Sequence, residues 1–166
     1  MIERAVRCRV GGVVPVVVLM ALGASPPGAQ GQVSPGIHVA RATQVFGGVY
    51  GAGVSLEMGV PLVPVRLMVA GDYFRPGCGQ ASGCSFMGAS ADLHFALSAP
   101  VIHPYGLAGA VVRRIGAGAG VAAHSATGLA LGVGLDLGVV GVGAYGEARY
   151  EFAGKDELVF RLGIRL

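Results

Sequence analysis

Residues 158–166 alternate strictly: Leu158, Phe160, Leu162, Ile164 and Leu166 share one parity, Val159, Arg161, Gly163 and Arg165 the other. Side chains along a strand point to opposite faces with period two, so this segment is a strand with an apolar face and an arginine-bearing face. The dyad recurs upstream. Over 141–152, Val142, Ala144, Gly146, Ala148, Tyr150 and Phe152 alternate with Gly143, Tyr145, Glu147, Arg149 and Glu151. Over 127–137, Leu129, Leu131, Val133, Leu135 and Leu137 alternate with glycines, Ala130 and Asp136. Over 86–98, Met87, Ala89, Ala91, Leu93, Phe95 and Leu97 oppose a set that includes Ser90, Asp92 and His94. Over 65–73, Val65, Leu67, Val69 and Tyr73 oppose Arg66, Met68, Ala70 and Asp72. Over 50–58, Tyr50, Ala52, Val54, Leu56 and Met58 oppose Gly51, Gly53, Ser55 and Glu57. In 104–114 the pattern assigns Tyr105, Leu107 and Val111 to the apolar face and Ala108, Ala110 and Arg114 to the polar one. A short first strand is expected over 37–41.

Connections near 59–64, 99–103 and 138–140 are short, whereas 75–85 and 116–126 are longer. Short turns on one side and longer loops on the other are the mark of a membrane barrel. The pattern therefore predicts an all-β fold, a transmembrane antiparallel up-and-down β-barrel of eight strands.

The polar parity gathers six acids (Glu57, Asp72, Asp92, Asp136, Glu147 and Glu151), five arginines (Arg66, Arg114, Arg149, Arg161 and Arg165) and His94. An eight-stranded barrel is just wide enough inside for side chains to fill it, and a buried charge without a partner is costly. These residues are expected to pair into a plugged lumen rather than line an open pore.

Arg4, Arg7 and Arg9 precede an apolar stretch over 13–22 and then small residues through Gly31. This is the layout of an export signal, expected to be cleaved after residue 31 to leave a barrel domain over 32–166. Losing Glu3 and the three arginines leaves nine basic against eight acidic residues, so the chain's net charge of +3 falls to +1. Without a clustered basic face, nucleic acid is excluded as a partner. The 30 glycines would ruin a helical bundle but suit the crowded interior of a small barrel. A helical membrane protein would need a second apolar span, and a soluble sandwich would need polar outer faces.

With the signal removed, Cys78 and Cys84 are the two remaining cysteines, flanking a glycine-rich loop in an oxidising compartment. They are expected to form a disulfide; a structural zinc would need two further ligands. Gly116 to Gly120 lacks the Lys-Ser/Thr of a phosphate loop. No metal or cofactor site is expected.

The alternating C-terminal strand, the signal, the run Pro104-Tyr105-Gly106-Leu107-Ala108-Gly109, and Gly134-Leu135-Asp136-Leu137 turning into Glu147-Ala148-Arg149-Tyr150 resemble the small outer-membrane β-barrel proteins of diderm bacteria. That group includes the eight-stranded outer-membrane protein A and X types. Leu166 departs from it, since the family usually ends in an aromatic residue. The resemblance implies an outer-membrane location, contact with outer-membrane lipid, and insertion by the barrel-assembly machinery. It also implies a monomer that serves envelope structure or meets a surface ligand through its outer loops. A lipid-modifying enzyme of this size would use a Ser–His pair with an acid. His124-Ser125 is the one adjacent pair here, and neighbours on a strand do not face each other. A non-catalytic barrel is therefore expected, with a lipid-modifying enzyme and a narrow passive channel as the alternatives.

Overall fold

The computed structural model describes residues 33–44, 48–59, 63–75, 85–97, 102–116, 123–139 and 142–166. The expected signal and both Cys78 and Cys84 lie outside the described residues. Eight strands follow in order: β1 (Val33–Ala42), β2 (Val49–Gly59), β3 (Val65–Phe74), β4 (Phe86–Ala96), β5 (Ile102–Ile115), β6 (His124–Val139), β7 (Val142–Ala153) and β8 (Lys155–Arg165). Each pairs antiparallel with its chain neighbours. β1 also pairs with β8, from Gly36 opposite Arg165 to Ala42 opposite Val159, and this closes the barrel.

β1 starts at Val33 rather than residue 37. Ser34, Pro35 and Gly36 give no apolar alternation, yet β2 pairs with them as far as Met58 opposite Val33. The Pro35 carbonyl also accepts the Leu166 N–H at 2.9 Å. The strand ends at Ala42, Val49, Phe74, Phe86, Ile115 and His124 gather with the turn at Gly154 at one end, called here the loop end. The ends at Gly59, Val65, Ala96, Ile102, Val139 and Val142 lie at the other, the turn end. Ala153 faces Lys155 directly across Gly154, whose φ of 73° is the left-handed conformation that glycine adopts freely.

The alternation sorts the two faces. Val39, Val54, Leu131 and Leu162 stand on the outer wall with more than half of their surface exposed. Glu57, Asp72, Asp92, Arg149 and Arg161 point inward and are buried. A protein whose apolar side chains stand outside and whose charges stand inside inverts the usual soluble arrangement.

β5 is the exception to the expected facing. Tyr105, Leu107 and Val111 are buried in the lumen, and Arg114 stands exposed on the outer wall. Arg113 takes the inward position instead. A narrow lumen needs bulk as well as charge, and here β5 supplies it. Ala108 and Ala110 face outward, where a small side chain costs little.

Candidate functional site

The lumen gathers most of the chain's charge. Five arginines (Arg66, Arg113, Arg149, Arg161 and Arg165), seven carboxylates (Glu57, Asp72, Asp92, Asp136, Glu147, Glu151 and Glu157) and two histidines (His38 and His94) share it. They fall into three tiers along the barrel axis.

At the turn end, two arginines and two carboxylates close a ring. Arg66 donates to Glu57 Oε1 at 2.8 Å and to Asp136 Oδ2 at 2.5 Å. Arg165 meets the same two partners, Glu57 Oε2 at 3.2 Å and Asp136. Each carboxylate thus lies between two guanidiniums supplied by β3 and β8. Tyrosines floor the ring: the Arg165 guanidinium lies 4.2 Å from the centre of the Tyr145 ring, and that of Arg66 5.6 Å from the centre of Tyr105. His94 stacks on Tyr105 with ring centres 4.6 Å apart.

The middle tier is buried. Arg149 grips Asp92 with both terminal nitrogens, at 2.7 and 3.0 Å. Its Nε lies 2.9 Å from Glu151. Arg161 pairs with Asp72, which also meets His38 Nε2 at 2.7 Å, and reaches Glu147 at 3.4 Å. Ser90 donates to Asp92 at 2.9 Å. His94 joins the tiers, 3.7 Å from Glu57 and 3.9 Å from Glu147.

At the loop end, Arg113 pairs with Glu151 and donates to the Lys155 carbonyl at 3.2 Å. Beside it an apolar layer of Ala42, Val49, Phe74, Phe86 and Val159 fills the section, with the two phenylalanine rings 4.9 Å apart. Glu157 accepts the Gln44 N–H at 2.6 Å.

Glycines make this crowding possible. A Cβ on Gly134 would lie 2.2 Å from the Tyr105 ring, and one on Gly53 would lie 2.3 Å from His38 Nε2. These close approaches allow large inward side chains to cross to opposite walls.

Eleven of the twelve expected lumen residues stand inside; Arg114 does not. Arg113, His38 and Glu157 were missed. His38 lay in the weak first strand, though its parity partners Ala40 and Ala42 opposite Ile37 and Val39 carried the signal. Glu157 lies just ahead of the alternating segment 158–166, outside the run from which the last strand is read. His124 and Ser125 belong to β6 rather than to the loop over 116–126, and they take opposite parities. Ser125 faces Arg114 across the pair, whereas His124 lines a loop-end cavity of about 850 Å³ with Gln44, Arg113, Lys155 and Asp156. Among the described residues, no group of three His, Cys, Asp or Glu side chains is placed to hold a metal ion.

Neither a family model nor a curated protein matches the sequence. Solved structures do share the fold. Ail, the attachment invasion locus protein of Yersinia pestis, superimposes with a TM-score of 0.59 at 16% identity, over 82% of this chain and 98% of that one. Neisserial surface protein A gives 0.60 at 18% identity, over 81% and 94%. The N-terminal β-barrel domain of Pseudomonas aeruginosa OprF gives 0.60 at 19% identity, over 82% and 98%. The fold is that of the small eight-stranded outer-membrane barrels.

Proposed function

We propose that this protein is an exported, monomeric outer-membrane barrel without catalytic activity, which serves envelope structure and presents its loop end to the cell exterior. The observation that carries this reading is the burial of the charged side chains inside the barrel. Arg149, Asp92, His94 and Glu157 have no accessible surface, and Arg161 has 1%. A section filled by paired charges, with Phe74 and Phe86 packed beyond it, supports a plugged lumen over an open pore.

The apolar outer wall supports placement in lipid, because no soluble monomer exposes such a band at this scale. The shared fold with outer-membrane barrels supports which membrane. The divergence of His124 and Ser125 weighs against a lipid-modifying site. In this account residues 1–31 direct export, the barrel-assembly machinery inserts the strands, and a Cys78–Cys84 disulfide staples the loop over 75–85. The loop end is then the surface that meets an external ligand.

Planar-bilayer recording of the refolded mature chain tests the closed lumen. No stepwise conductance is expected. Reproducible unitary steps that change on substituting Arg149 or Arg161 would establish a passive channel instead.

A further inference from the structure

After residue 32 the chain carries five charged side chains outside the lumen: Arg41, Arg75, Arg114, Lys155 and Asp156. All five lie at the loop end. Arg41 and Arg114 are next to last in their strands, Arg75 follows β3, and Lys155 and Asp156 open β8. Arg41, Arg75, Arg114 and Asp156 take the outward parity and Lys155 opens onto the loop-end cavity, so the outer wall is net cationic at one rim and uncharged over the rest of its height.

Two of these cations sit in one row. Arg41 faces Tyr50 across the β1–β2 pair, with its guanidinium 5.3 Å from the ring centre. The β2–β3 register places Arg75 next to Tyr50 on the other side, and the Arg75 N–H donates to the Tyr50 carbonyl at 3.4 Å. Tyr50 is 69% exposed between them. Two strand spacings separate the two arginines by roughly 10 Å at Cα, a gap that their side chains can close onto one group.

The same row continues the other way, through Phe160, Ala148 and Val133 to Gly106. Counted along their strands, Arg41 lies one residue from the loop end, Phe160 and Ala148 five, and Val133 and Gly106 nine. The row therefore slants down the wall. Four spacings make it about 19 Å long, and at a tilt near 40° it descends about 12 Å, close to the depth of one leaflet of a 30 Å core. A groove of about 900 Å³ follows this path. Gly106, Gly146 and Ala148 contribute minimal side chains to it, and Leu135, Leu162 and Phe160 contribute bulk. A Cβ on Gly106 would meet nothing within 4 Å, so the groove is open there.

We infer that this wall binds one phosphate-bearing acylated lipid of the outer leaflet, its phosphate between Arg41 and Arg75 against Tyr50 and an acyl chain in the groove over Gly106 and Ala148. Guanidinium forks match phosphate oxygens, and a row that leads from cations into an apolar furrow matches a lipid better than a free anion. The inference rests on the outer-membrane placement proposed above.

Native mass spectrometry of the refolded mature chain in non-ionic detergent tests it, with phosphatidic acid, diacylglycerol and inorganic phosphate as probes. One retained phosphatidic acid is expected, with neither of the other two retained. Arg41→Gln with Arg75→Gln should lower retention about tenfold or more, whereas Arg114→Gln with Lys155→Gln should change it by less than about twofold. Gly106→Leu with Ala148→Leu, which fills the groove from its open side, should also lower it. Equal retention of diacylglycerol or of free phosphate would overturn the inference, as would equal losses in the two arginine and lysine variants. Each variant is first shown to change gel mobility on boiling. Loss of that shift in the unaltered chain would instead contradict the barrel reading, so the two failures are distinguishable.

Discussion

Arg149 on β7 reaches across the barrel to hold Asp92 on β4 with two hydrogen bonds, and neither side chain has any accessible surface. A bidentate pair in a dry interior ties opposite walls together, yet leaves either member badly placed if the other is lost.

Arg149→Met should therefore destabilise the barrel by about 3–5 kcal/mol, because Asp92 would stay buried without its cation. Adding Asp92→Asn should recover a large part of that loss, since Glu147 and Glu151 still meet Arg161 and Arg113. Urea unfolding in vesicles, followed by far-UV circular dichroism because the chain has no tryptophan, measures both. Losses that simply add would contradict the coupling.

Arg113 and Arg114 are neighbours with opposite expectations. Arg113→Ala removes the partner of buried Glu151 and should cost about 2–4 kcal/mol, less than Arg149 because Arg149 also reaches Glu151. Arg114→Ala, on the exposed face, should stay within about 0.5 kcal/mol. Comparable effects of the two would put β5 the other way round.

Gly134→Val should cost about 1–3 kcal/mol, because its Cβ collides with the Tyr105 ring. Pairing it with Tyr105→Ala should remove the collision itself. Gly106→Ala points into open space and should leave the unfolding midpoint close to that of the unaltered chain. If Gly106→Ala were the more damaging, the assignment of inner and outer faces would be wrong.

Leu131 sits midway along β6 and is 54% exposed on the apolar wall. Leu131→Arg should cost about 2–4 kcal/mol in a bilayer, the charge of a lipid-facing arginine near the midplane. The same substitution should matter far less in detergent micelles, where water lies closer. Equal effects in both media would argue against a lipid-facing wall.

If Cys78 and Cys84 are joined, the unreduced mature chain should take up no maleimide, and the reduced chain two. Labelling without reduction would remove the staple from the proposed outer loop.

Most of the barrel is legible in the sequence because lipid and lumen impose opposite chemistry on alternate residues. β8 and β7 show this plainly, with Arg161, Arg165, Glu147 and Arg149 on one parity and apolar or small residues on the other. β5 misleads for a physical reason. Its bulky residues, Tyr105 and Leu107, are inside filling volume, and its outward positions from Gly106 to Ala110 are small, so size and burial point in opposite directions there. Adjacent Arg113 and Arg114 give no parity of their own. The partner strand does, since Tyr105 lies opposite Gly134, which leaves the room its ring requires. The ring of Glu57, Arg66, Asp136 and Arg165 could be foreseen as a charge balance but not as a geometry. It is built from four strands, and only their register decides which arginine meets which acid.

The most direct measurement is gel mobility of the mature protein recovered from outer membranes, unheated against boiled in detergent. A closed barrel held by lumen ion pairs should resist detergent when cold and shift when boiled. An unshifted band, or recovery of the protein in the inner membrane or the soluble periplasm, would contradict the account.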